Sequence, residues 1–146
     1  MEEKLYLINH LTLITGLTDR TIRNYISSGI LKGEKINGMW HFTPEEVDSF
    51  IKNPSVRPSI IAKNNSVVYD FMLDDSKKNE ETCVILDIPG ANIKSTSEFF
   101  CYRISNGDFK DISFSLDGIY KTPRVILKGK PKDVFGLIDE YYKSFR

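Results

Sequence analysis

The chain has 146 residues, of which 40% are hydrophobic and 27% charged, and its formal net charge is zero. That length suits one ordinary domain or two small ones, and the composition excludes a disordered chain. Zero net charge also counts against a purely electrostatic nucleic-acid binder, which usually carries a basic surplus.

Leu7, Ile8, Leu11 and Ile14 recur at helical spacing and predict a first short helix over Tyr6 to Thr15, ending at Gly16. Thr18 is a good N-cap for a second helix from Asp19 to about Ser28, with Ile22, Tyr25 and Ile26 inward and Gly29 closing it. Gly16-Leu17-Thr18 between them is a short glycine-bearing turn. Ile30-Leu31 and Trp40-His41-Phe42 read as two short strands, and Asn37-Gly38 between them is the strongest hairpin signal of the chain. Thr43-Pro44-Glu45-Glu46 is a capping box with proline at the first helical position. It opens a third helix through Val47, Phe50 and Ile51, ended by Asn53-Pro54. A fourth helix is expected from Pro58 through Met72, although the β-branched content also permits a strand over Val67 to Leu73.

Asp74 to Thr82 reads as a solvated loop, and Cys83 to Ile88 as a buried strand stopped by Pro89-Gly90. Ser97 to Ser105 reads as a helix ending at Asn106-Gly107. Ile112, Phe114 and Leu116 alternate with serines as a half-buried strand, Asp117-Gly118 opens a hairpin, and Val125-Ile126-Leu127 returns. Pro131 starts a last helix with Val134, Leu137, Ile138 and Tyr141 inward. The expected fold is α+β: a winged helix-turn-helix over residues 1–55, joined by a helix to a small α/β domain over residues 56–146 with a roughly three-stranded sheet. The second part is expected to supply dimerisation, effector sensing or both.

The charge is unevenly placed. Residues 1–65 carry a net +1 and residues 66–146 a net −1, yet from Arg20 to His41 four cations (Arg20, Arg23, Lys32, Lys35) face one anion, Glu34. A single copy with so few cations binds a duplex weakly, so a dimer is expected. Cys83 and Cys101 form no CxxC pair, and His10 and His41 lack zinc-finger spacing, so buried reduced thiols and no metal are expected. Met1-Glu2-Glu3-Lys4 is not followed by a sustained apolar run, and no segment reaches the length of a membrane span. A cytoplasmic protein is expected, which makes the Asn64-Asn65-Ser66 sequon a chance match.

Gly16-Leu17-Thr18, Thr21-Ile22-Arg23, Tyr25, Gly29-Ile30-Leu31 and Gly38-Met39-Trp40-His41-Phe42, followed by Thr43-Pro44-Glu45-Glu46-Val47, stand in an ordered run. With that spacing, residues 5 to about 52 resemble the DNA-binding domain of the mercury-resistance-regulator (MerR) superfamily and the related excisionase-like domains. The resemblance implies a second helix in the major groove, with Arg23 and Tyr25 contacting or buttressing the DNA backbone. Asn24 stands where the family usually has an aromatic, and Trp40 where its wing usually has a phosphate-binding arginine. The family's long dimerising helix is replaced here by an α/β segment.

The candidate DNA-binding residues are Thr18, Arg20, Thr21, Arg23, Asn24, Tyr25, Lys32, Lys35, Trp40 and His41. Arg20 and Arg23 share one helix face, where arginine binds phosphate or reads guanine; a solvated face with Asp19 as internal partner is the bland alternative. Thr21 and Asn24 suit base edges, or are ordinary exposed helix residues. Tyr25 is expected mainly as a seam residue with its hydroxyl reaching outward. Lys32 and Lys35 suit flanking phosphates or simply solubility. Trp40 is read first as a core anchor, and His41 as a weak phosphate donor. The aromatics Phe99, Phe100, Tyr102, Phe114, Tyr141, Tyr142 and Phe145 are read mostly as core, with some left to line a pocket or an interface. No catalytic constellation, phosphate loop or cofactor motif emerges from the carboxylates, Cys101 or Gly129. The leading expectation is a bacterial or mobile-element transcriptional regulator that binds double-stranded DNA as a homodimer, with a small-molecule effector open. Its rivals are an excisionase-like architectural protein and a protein-interaction adaptor that has lost DNA binding.

Overall fold

Tyr6 decides where the first helix starts. Its N–H and C=O both pair with Phe42 at 2.8 Å as an antiparallel bridge, so its backbone is extended and helix α1 begins two residues later, at Ile8–Thr15. The computed structural model describes residues 5–107, 109, 111–117 and 122–145. Helix α2 spans Asp19–Ser27, and its N-cap Thr18 accepts the Thr21 N–H at 3.1 Å. Ile30 and Leu31, expected as a strand, instead both donate their N–H groups to Tyr25 O (3.0 and 3.1 Å) as the terminating turn of α2. Gly29 enables that reversal with φ +82°, and Leu31 drops into the core. The hairpin comes later, as β1 (Glu34–Ile36) and β2 (Met39–His41), joined by Asn37-Gly38 with φ values of +50° and +82°. Helix α3 (Pro44–Lys52) carries the full capping box: Glu46 N–H donates to Thr43 Oγ1 (3.1 Å) and Thr43 N–H to Glu46 Oε1 (2.9 Å).

Residues 57 to 73 form one helix, α4 (Arg57–Leu73), and the strand alternative within it is not adopted. Then follow β3 (Thr82–Asp87), α5 (Ile93–Asn106), β4 (Ser113–Asp117), β5 (Arg124–Gly129) and α6 (Pro131–Phe145). Helix α5 starts four residues earlier than expected because Asn92 caps it, its Oδ1 accepting the Ser95 N–H at 2.9 Å. The sheet is antiparallel in the order β3-β5-β4, with Phe114 opposite Leu127 and Leu127 opposite Val84. The hairpin expected at Asp117-Gly118 runs into residues outside those described.

The architecture is thus α+β, with six helices and two small antiparallel sheets among the described residues. Helices α5 and α6 cover the sheet face that carries Phe114, Val125 and Leu127. Phe100 stacks on Phe114 (5.4 Å between centroids, 21°), and Tyr141, Phe99 and Phe145 complete the aromatic packing. On the other face Ile126 is buried, while its β3 neighbour Ile85 is 52% exposed. The strand expected to be buried is therefore an edge strand with one side in water. Its unbroken apolar run concealed a one-sided burial.

Helix α1 touches both halves, packing on α2 and also on α5 and β4. Leu11, Ile14 and Thr15 have no exposed surface, and Tyr102 of α5 donates its hydroxyl hydrogen to Leu5 O at 3.2 Å. His10 is buried there, its ring 5.0 Å from that of Tyr102 and 6.0 Å from that of Tyr6. Its Nδ1 accepts the Leu7 N–H (3.0 Å), which leaves the ring hydrogen on Nε2.

Burial lowers the His10 pKa below the ordinary histidine value of 6.5. Below pH 6.5 the unfolded chain therefore binds a proton that the folded chain refuses, and stability falls until His10 protonates in the native state. Thermal melting midpoints should drop as the pH is lowered through 6.5 toward 5, and His10→Gln should remove that part of the slope. An unchanged slope in the variant would count against the assignment.

Candidate nucleic-acid interface

Helix α2 is amphipathic because Ile22, Tyr25 and Ile26 recur at three- and four-residue intervals. Ile22 is fully buried and the other two are half-buried, which turns Arg20, Arg23, Asn24 and Ser27 outward, all exposed. Arg20 makes no ion pair among the described residues. Arg23 Nε lies 2.6 Å from Asp19 Oδ1, with the two side chains 57% and 60% exposed. A solvent-exposed pair of this spacing contributes only about 0.3–0.5 kcal/mol, so a phosphate competes with it readily. Thr18 Oγ1 donates to Thr21 Oγ1 at 3.0 Å and accepts the Thr21 N–H, which leaves the Thr21 hydroxyl hydrogen to be donated elsewhere.

The hairpin holds a second group. Lys35 and Trp40 are register partners, and Lys35 Nζ sits 5.9 Å from the centroid of the half-buried indole. That distance is at the edge of a cation–π contact. Trp40 packs partly against the core, so it anchors the hairpin while leaving part of its surface in water. His41 Nδ1 is 3.0 Å from Met39 O. A carbonyl only accepts, so Nδ1 carries the hydrogen, and Nε2 can donate to a phosphate only when the ring is protonated. Met39, 54% exposed beside the turn, did not stand out in the sequence. Its signal lay in the register, which sets it first after Asn37-Gly38.

One residue stands differently from its sequence reading. Tyr25 does not reach outward: its ring meets Phe50 edge-on (5.4 Å, 69°) and its hydroxyl is directed to Ser59 Oγ at a long 3.5 Å. It ties α2 to α3 and α4, an inward role that the i, i+3 spacing allowed but could not aim. Lys32 is exposed and lines a shallow cleft with Glu45 and Glu46.

In the C-terminal segment Cys101 is buried and burial pushes its thiol up to about 12, so it stays protonated and unreactive at neutral pH. Cys83 is half-buried and its thiol is also raised by burial. Among the described residues no three His, Cys, Asp or Glu side chains gather as a metal site. A cleft of about 630 Å³ lies between α1, α4 and the sheet, lined by Asn9, Thr12, Lys63, Asp70, Ser113 and Lys128 among others. Among the described residues, no helix is long and apolar enough to cross a membrane. Compared with protein-family models, with curated proteins and with solved structures, the chain matches none.

The hairpin depends on a close approach at Gly33, where an added Cβ would lie 2.5 Å from the Phe42 ring and 2.9 Å from His41 O. Gly33→Ala is expected to cost about 1–3 kcal/mol by overpacking. Gly38→Ala, which meets open space but has φ +82°, should cost about 1–2 kcal/mol from backbone strain alone. Urea titrations followed by the fluorescence of the sole tryptophan, Trp40, measure both. Equal stability of Gly33→Ala and the parent chain would contradict the packing at the base of the hairpin.

Proposed function

We propose that this chain is a DNA-binding transcriptional regulator of the MerR-like type, acting in the cytoplasm. Its N-terminal third would work as a winged helix-turn-helix. The observation that carries this reading is the outward face of α2. Arg20, Arg23 and Asn24 are exposed on a capped helix whose opposite side is anchored in the core, and an exposed turn at Asn37-Gly38 tips the neighbouring hairpin. Arg20 and Arg23 would take phosphates or a guanine edge, Thr21 and Asn24 base edges, and Lys35 the flanking backbone. Lys32, exposed at the start of the hairpin, would add a further contact to the backbone. With so few cations, affinity for one half-site is low, so useful binding requires two copies. For the effector expected of the C-terminal segment, the supporting feature is the cleft beside α1, where Lys63 and Lys128 would suit a small carboxylate.

A second reading has its own support. A protein-interaction adaptor on the same scaffold accords with zero net charge, with Arg23 already paired to Asp19, and with Trp40 on the hairpin. The two readings separate at low salt: the adaptor gives no retarded band with genomic fragments, the regulator does.

Under the regulator reading, Arg23→Ala should weaken binding to every duplex and reduce the salt slope by about one unit. Asp19→Asn should do the reverse, strengthening binding by releasing the guanidinium. Fluorescence anisotropy across a salt series measures both. Unchanged affinity and slope in Arg23→Ala would remove that residue from the interface.

A further inference from the structure

The α4–β3 side of the molecule leaves an apolar face uncovered. Tyr69 and Leu73 are each 63% exposed, Met72 76%, Ile85 52% and Ile61 40%. Ile61, Val68, Tyr69 and Met72 of α4 line a groove of about 380 Å³ with Ile85 and Ile126 of the sheet, so the face is continuous across helix and strand. Buried in its lining is Asn64, 5% exposed, whose Oδ1 accepts no hydrogen bond among the described residues. A buried acceptor without a donor is costly and rare in a finished structure. At the rim, β3 is an edge strand with neither charge nor proline from Thr82 to Leu86. Native sheets guard open edges with lysine, proline or a bulge.

We infer that this face is covered by a second copy of the same chain. With about 150–250 Å² for a large apolar side chain in full exposure, the five residues leave on the order of 600 Å² in water. A symmetric pair thus buries on the order of 1,200 Å², the lower bound of a stable interface, and the groove residues between them add to it. A two-fold axis brings the same patch against itself. Antiparallel pairing of two β3 strands centred on Ile85 sets Val84 opposite Leu86 and Asp87 opposite Cys83, so no like charges oppose each other. Asp87 is already neutralised by Arg124, at 2.7 and 2.9 Å. A shift centring the pair on Val84 would set Asp87 against Glu81, which disfavours that register. The interface lies in the segment after α3 and uses no residue of α2. It goes beyond the regulator reading and does not require it.

The test is the mass of the full chain in solution without DNA, by multi-angle light scattering at micromolar concentration. The parent chain is expected at twice 16.8 kDa. Met72→Glu and Ile85→Glu, made separately, should each halve the mass. Phe135→Glu, at a comparably exposed position on α6, should leave it doubled. Circular dichroism confirms that each variant folds, and Tyr69→Glu replaces any that does not. A parent chain of 16.8 kDa, whatever other partner it captures, overturns the inference, as does a doubled mass that survives all the α4–β3 substitutions. Because no duplex is present, failure here leaves DNA binding standing, and loss of DNA binding by a chain of doubled mass removes only that reading.

Discussion

The burial of helix α1 on both sides is the constraint from which the rest of the structure follows. Its eight residues pack against α2 on one side and against α5 and β4 on the other, and Leu11, Ile14 and Thr15 are closed off from water. An element this short is not stable alone. It is held because both halves of the chain use it as a wall, and they share one core through it. The back of α2 rests on that wall, so its other face has nowhere to turn but outward. His10 belongs to the same wall, with its neutral ring between Tyr6 and Tyr102 and its Nδ1 closing the first turn.

The proposed interface is therefore a matter of position more than of charge. Four cations in a chain of zero net charge would be unremarkable if scattered. Two of them share the exposed side of one rigid helix, a third tips a hairpin pinned by Phe42 and Trp40, and the fourth is exposed just before that hairpin. Such a surface has little electrostatic reserve. Duplex binding from it would rest on geometry and on having two copies, and the uncovered α4–β3 face is where the chain has apolar surface to spare for pairing.

Much of the local structure was legible in the residues. Thr18, the Thr43-Pro44-Glu46 box and Asn37-Gly38 announced two helix starts and one hairpin, because each acts through partners within four residues. The three-stranded sheet and its two covering helices followed from alternation and helical spacing. The misplacements have different causes. Tyr6 looked helical until its distant partner Phe42 drew it into a bridge, and Ile30-Leu31 looked like a strand although their N–H groups close α2.

Sequence alone thus determined the α+β class, the order of most elements and several of the caps that bound them, since these are short-range interactions written in neighbouring residues. Only the tertiary structure decided which faces stay open. Periodicity shows that Tyr25 and Ile85 lie on apolar stripes, but not that Tyr25 aims its hydroxyl at Ser59 or that Ile85 is left in water. Whether a stripe is covered depends on an element tens of residues away arriving over it, and no local spacing encodes that arrival.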